Sequence, residues 1–184
     1  MKATGIVRRI DELGRVVIPK EIRRTLRIRE ADPLEIYTDR EGGIILKKYS
    51  PVGELSEHAG ALSAALYATF QLPCAVCDRD VFVASAGLGK RDPAGKAVST
   101  EIEAMMLTRT RIVSLTPDER RWPLLSEDDP AYRCAAIVGV PVVTQGDAIG
   151  GMLLFSQKPD QPIDASAVKA CEAAAAFLAK QMEE

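Results

Sequence analysis

Residues 4–49 read TGIVRRIDELGRVVIPKEIRRTLRIREADPLEIYTDREGGIILKKY, and this stretch decides the fold of the first part of the chain. Two β-rich runs, residues 4–10 and 15–18, flank Asp11-Glu12-Leu13-Gly14, whose acidic start and closing glycine suit a tight reversal. The pattern predicts a hairpin. Pro19 suits the first residue of a helix, because its missing N–H would have no helical partner there, and the helix is expected to run to about Arg27. After Asp32-Pro33, residues 34–38 and 44–48 are joined by Asp39-Arg40-Glu41-Gly42-Gly43, which predicts a second hairpin and the order ββαββ.

On that helix Lys20, Arg23, Arg24 and Arg27 have the spacing i, i+3, i+4, i+7 and share one face, with Ile18, Ile22 and Leu26 roughly opposite. Like charges at this spacing repel, a cost without a folding rationale unless a polyanion neutralises them. The ordinary reading of a charge run is a solvated surface. Here Arg8, Arg9 and Arg15 of the first hairpin add to it, and arginine favours bidentate contacts to phosphate or guanine, so DNA binding is the stronger reading. Residues 1–50 hold 12 Lys+Arg against 8 Asp+Glu, and the remainder 12 against 18, so the formal net charge of −2 conceals a basic head on an acidic body. Fifty residues bury too little apolar surface to offset the chain entropy lost on folding, and a second copy is expected to complete the core.

The run GIVRRIDELGRVVIPKEIRRTLRI, with the following DPLEIY and ILKKY, resembles the swapped-hairpin DNA-binding domain of the AbrB transition-state regulators. With a second domain attached, the chain is similar to the stage V sporulation protein T-like transcriptional regulators. The resemblance implies two chains interleaving hairpins into one small β-barrel, with DNA contacts at Arg8, Arg15, Arg23 and Arg24. Arg9, Lys20 and Arg27 join them on charge geometry. It also implies a loose, A·T-preferring readout through DNA shape.

The rest of the chain sets bounds. A length of 184 residues with 47% hydrophobic content allows one good core and one small one, and argues against a disordered chain. No signal peptide is read at the N-terminus, and the longest apolar run, residues 135–143, is too short to span a bilayer and carries Gly139 and Pro141. A cytoplasmic, nucleoid-associated protein is expected, with its four cysteines as reduced, apolar thiols.

Tyr49-Ser50-Pro51 marks a boundary, giving a head at 1–50, a linker at 51–55 and a second domain at 56–184. Leu55, Ala59, Leu62, Leu66 and Thr69 form a heptad-like stripe, as do Val168, Cys171, Ala175, Leu178 and Met182. Each stripe suits its own sheet or a partner helix about equally. In the second case, helices 55–70 and 165–182 would build a four-helix bundle and make a dimer of dimers, hence a homotetramer. Between them, strands are expected at 75–78, 81–84, 112–115, 135–143 and 149–155, the last two joined by Gln145-Gly146-Asp147, with a helix near 99–110 capped by Ser99. The class is α+β with a largely antiparallel sheet and flanking helices. By resemblance this part is GAF-like, which implies a sensor of small molecules, although the cyclic-nucleotide signature and a bilin-binding cysteine context are both absent.

Other chemistries fare poorly. Cys74-Ala75-Val76-Cys77 matches C-x-x-C, but on a strand positions i and i+3 point to opposite faces. His58 has no nucleophile or acid partner, and Gly87-Leu88-Gly89-Lys90-Arg91 lacks P-loop spacing. Residues 118–122 and 126–129 suggest a polar loop over a pocket. No catalytic residue, metal ligand or cofactor is assigned, and a small-molecule ligand of the GAF-like domain stays open. Two alternatives remain: an antitoxin-like protein–protein module built on the same head, and a GAF-like thiol reductase using Cys74, Cys77 or Cys134.

Overall fold

The computed structural model describes residues 5–30, 32–50, 52, 56–117, 121–127 and 129–182. The chain divides into two compact units, Met1–Tyr49 and Ser50–Glu184.

In the first unit, residues 11–14 turn as the sequence suggests. The Asp11 carboxylate accepts from the backbone N–H of Leu13 at 3.0 Å and of Arg15 at 2.8 Å, and Gly14 takes φ +75°. The flanking segments differ from expectation: none of residues 5–18 is in a strand. Among the described residues of this unit nothing covers their apolar side chains, and Val7, Ile10 and Val17 stand 69–85% exposed. Helix α1, Lys20–Thr25, follows Pro19, and the Asp39 turn joins β1, Leu34–Thr38, to β2, Ile44–Lys48, in an antiparallel pair. Asp39 Oδ1 accepts from the N–H of Glu41 and of Gly43, the local reason the reversal occurs there.

The second unit is built on a five-stranded antiparallel sheet of order β4-β3-β9-β8-β5, from β3 (Cys74–Asp78), β4 (Phe82–Ala86), β5 (Ile112–Ser114), β8 (Ala136–Thr144) and β9 (Asp147–Ser156). Two short strands, β6 (Trp122–Pro123) and β7 (Arg133–Cys134), pair separately, a ladder the sequence pattern does not reveal because two-residue strands have no period. Helices α2 (Ser56–Phe70), α3 (Thr100–Thr108) and α4 (Ser166–Gln181) flank the sheet.

The sheet is covered on both faces, which explains why its central strands read as continuous apolar runs. On one side Cys74, Val76, Val138, Val140, Met152 and Leu154 pack with Ala59 and Leu66 of α2 and Cys171 and Leu178 of α4. On the other Ala75, Cys77, Ile137, Leu153 and Phe155 pack with Ile102, Met105 and Met106 of α3. The alternation of neighbours between the two clusters is the period-2 rule of a strand. It also settles the two heptad-like stripes: among the described residues their buried positions face this unit's own sheet, while Leu55 lies outside the described residues.

Local chemistry sets the connections. Ser99 caps α3, its hydroxyl accepting from the N–H of Ile102 at 3.4 Å. The β8–β9 reversal puts Gln145 at φ +50° and Gly146 at φ +87°, the two positive values of a type I′ turn. In β9, a Cβ on Gly150 would lie 2.2 Å from the carbonyl oxygen of Cys77, so only glycine fits where β3 and β9 approach. Val52, expected in a linker, is fully buried in the second unit's core. Ser50 donates to the buried carboxylate of Asp78 at 2.6 Å, and Asp78 also accepts from the N–H groups of Asp80 and Val81.

Candidate nucleic-acid interface

The seven cations of the head expected to contact DNA are all exposed. Lys20, Arg23 and Arg24 lie on α1 and take part in no ion pair among the described residues. Among the described residues no ion pair neutralises their face, which is the electrostatic state a phosphate backbone would relieve. Arg8 and Arg9 stand on the segment before the Asp11 turn, and Arg8 Nη1 donates to the adjacent carbonyl of Val7 at 3.3 Å.

Arg15 is held differently. Its Nε donates to Asp11 Oδ2 at 2.8 Å while its side chain remains 72% exposed. Hydrogen bonds from the Arg15 backbone and side chain, reinforced by the Leu13 N–H and only partly offset by burial, hold the Asp11 carboxyl below its ordinary value. One carboxylate thus forms the turn and holds the Arg15 guanidinium beside it. The signal was legible, since an aspartate opening a four-residue turn is the usual residue for this bonding pattern.

Arg27 departs from the expected geometry. The helix ends at Thr25, Leu26 is its C-cap, and Arg27 adopts φ +52° in the left-handed region. The N–H of Arg27 bonds the carbonyl of Arg24 at 3.3 Å and the N–H of Ile28 that of Arg23 at 2.8 Å, the paired bonds of a Schellman ending. Glycine usually holds that position, and an arginine there costs about 1–2 kcal/mol. Arg27 is therefore off the helical face of Lys20, Arg23 and Arg24, because the chain has turned before reaching it.

Asp32 and Lys48 were not among the candidates, yet they hold this ending. Lys48 Nζ donates to the carbonyl oxygen of Arg27 at 3.1 Å and pairs with Asp32 Oδ2 at 3.0 Å. The same Asp32 oxygen accepts from the N–H of Arg29 at 2.7 Å. Asp32's side chain is only 5% exposed. Burial pushes its pKa up, but the Arg29 N–H and the Lys48 ammonium outweigh burial and keep it lowered. No local pattern announces a contact between residues sixteen apart on a loop and a strand.

Among the described residues of the second unit no comparable cluster of cations stands out, and its thiols are buried. Cys74 and Cys77 lie in the clusters on opposite faces of the sheet, as strand geometry requires, so this C-x-x-C cannot grip one ion. Burial pushes both thiols strongly up and that of Cys171 to about 12. His58 is exposed, its ring 6.2 Å from that of Phe177. Of the polar loop expected near the sheet, residues 118–120 and 128 lie outside the described residues, and Trp122 is taken into the β6–β7 pair. Among the described residues no cluster of His, Cys, Asp and Glu could hold a metal, and no helix is long and apolar enough to cross a membrane.

Residues 54–183 match the family described as stage V sporulation protein T C-terminal, transcription factor. Residues 7–54 match that described as antidote-toxin recognition MazE, bacterial antitoxin. The chain is 50% identical over 187 residues to stage V sporulation protein T of Bacillus subtilis (strain 168), covering 100% of both. It is 64% identical over 63 residues to the transition state regulatory protein AbrB of the same organism, covering 31% of this chain and 65% of that protein. Among solved structures, the GAF domain of an Acinetobacter phosphoenolpyruvate-protein phosphotransferase is similar with a TM-score of 0.57 at 15% identity, covering 70% of this chain and 82% of that one, a likeness of fold alone.

Proposed function

The chain belongs to the stage V sporulation protein T family of transcription factors, and from that membership we propose that it regulates transcription by docking its head on double-stranded DNA while its second unit joins copies together. The observation that carries this reading is the exposed, unneutralised set Lys20, Arg23 and Arg24 on α1, flanked by Arg8, Arg9 and Arg15. Cations supply affinity through counterion release, and an interface of this kind reads DNA through its shape, giving a sequence-tolerant, A·T-preferring binder. Residues 1–50 are assigned DNA docking and 56–184 oligomerisation and sensing, with 51–55 connecting them although Val52 belongs to the second unit's core. The protein is assigned to the cytoplasm, at the nucleoid.

A dimer through the hairpins is supported by the exposed apolar residues of the head. Besides the six on residues 5–18, Ile36 and Ile44 stand 69% exposed on one face of the β1–β2 pair. Pro19 is the only buried residue among the described residues of the head, so one copy has no core to speak of. A two-fold partner would cover these groups and double the cationic surface. For a tetramer, the inward stripes of α2 and α4 are already used, and the support moves to their outer faces, where Tyr67, Phe177 and exposed alanines remain.

The test is titration of a labelled A·T-rich duplex. With six or more phosphate contacts, affinity falls roughly 10³-fold between about 50 and 200 mM salt. Joint replacement of Arg8, Arg15, Arg23 and Arg24 by Ala abolishes binding while the circular dichroism spectrum is kept; undiminished binding by that folded variant would sink the assignment. Sedimentation tests the oligomer. The protein is read as a non-enzyme, a reading supported by buried thiols that stay protonated near neutral pH. No cofactor is assigned, and a small-molecule ligand of the second unit is proposed on its GAF-like fold, to be sought by thermal shift against a metabolite panel.

A further inference from the structure

We propose that Asp32 and Lys48 are positioning residues for DNA binding, acting by holding the left-handed turn at Arg27 that ends the basic helix. The inference rests on the head being the DNA-docking unit, and deepens it. Helix α1 is only six residues long and has no side-chain cap at its start, so the bonds at its end carry much of what holds it. That end is gripped twice. The N–H groups of Arg27 and Ile28 close the last turn from within, and Lys48, reaching from β2, binds the Arg27 carbonyl oxygen from outside.

The grip is itself braced. Asp32 takes the Lys48 ammonium on one side and the Arg29 N–H on the other, through the same carboxylate oxygen, from a nearly covered position. Lys48 is therefore a cation of the head with its charge engaged inside the fold, unlike the exposed Lys20, Arg23 and Arg24. Arg27 needs such a brace because a side chain disfavours the φ it holds. If the turn relaxes, the carbonyls of Arg23 and Arg24 lose their partners, and the last turn, which carries both arginines, is free to unwind.

Full-length wild type is titrated with a labelled A·T-rich duplex beside Lys48→Met, Asp32→Asn, their double variant, Arg27→Gly, and Arg27→Gly with Lys48→Met. A purely electrostatic role predicts opposite signs, since Lys48→Met removes a positive charge and Asp32→Asn a negative one. Positioning predicts that both weaken binding, by about tenfold, and that the double variant is no worse than the poorer single one. Glycine takes the left-handed turn without the brace, so in the Gly-substituted background the Lys48→Met penalty shrinks to roughly twofold or less. That rescue is a readout that general loss of head structure would not give.

Asp32→Asn binding as tightly as wild type, or more tightly, overturns the proposal. So does a Lys48→Met variant whose salt slope drops by about one, which would make Lys48 a phosphate contact. An undiminished penalty in the Arg27→Gly background overturns it as well, including where Lys48→Met alone fails to fold. Wild type that fails to bind the duplex at low salt would instead sink the docking role of the head, a distinct outcome.

Discussion

The two units of this chain solve the problem of burial in opposite ways. In the second, helices cover both faces of a sheet, and Phe82, Phe155, Met152, Leu153 and Leu154 are at most 1% exposed. In the head, Val7, Ile10 and Val17 face solvent although they lie on the two runs whose pattern predicts paired strands. The difference teaches that hydrophobic content alone does not make a core; enough chain must be present to supply a second layer. The second unit carries both layers in its own sequence. The head carries one.

The contrast can be broken or sharpened by substitution. The largest effect is expected from Phe155→Ala, which opens a cavity in a closed core and costs about 3–5 kcal/mol by urea denaturation of the second unit. A loss under 1 kcal/mol would mean that this core is not closed. Gly150→Ala comes next: the added methyl meets a carbonyl oxygen of β3, and a cost of ~2–3 kcal/mol is expected, read in the same experiment. Val7→Ser with Val17→Ser should barely alter an isolated head, because both side chains are already exposed. In a two-chain head the pair costs on the order of 2 kcal/mol, and melting depends on protein concentration with or without the substitutions.

Acid separates the units further. In the head the carboxyls of Asp11 and Asp32 are lowered, so each contributes stability above its unfolded value near 3.8 that is lost as pH falls through the lower folded value. Asp164, which is exposed, and Glu172, half-buried and paired with Arg111 and Lys169, are lowered in the same sense in the second unit. Hydrogen-bond loss followed from pH 5 downward should therefore show the Arg27 turn opening before the five-stranded sheet. Asp32→Asn should remove most of that early phase. The smallest effect is Ser99→Ala, about 0.5–1 kcal/mol, since the cap bond is long at 3.4 Å.

Much of the second unit was legible because its signals are local and periodic. Alternation placed Cys74 and Cys77 on opposite faces, Gln145-Gly146 announced a two-residue reversal, and Ser99 announced a helix start. The sides chosen by the heptad-like stripes were not legible, since a stripe of Ala59 and Leu66 suits a sheet or a partner helix equally well. In the head the cations were legible one by one, and Lys20, Arg23 and Arg24 are exposed on α1 as their spacing suggests. Arg27 was misplaced because helical spacing was extended through a residue that leaves the helix.

By itself the sequence determined the basic head, the acidic body, the alternating strands and the turn residues, since each depends on a residue and its near neighbours. Only the tertiary structure decided that both stripes face the sheet, that Arg27 turns left-handed, and that Asp32 and Lys48 hold the end of α1. Those facts join residues far apart in the chain. Periodicity shows which side of an element is apolar, but what that side meets depends on the packing of the whole.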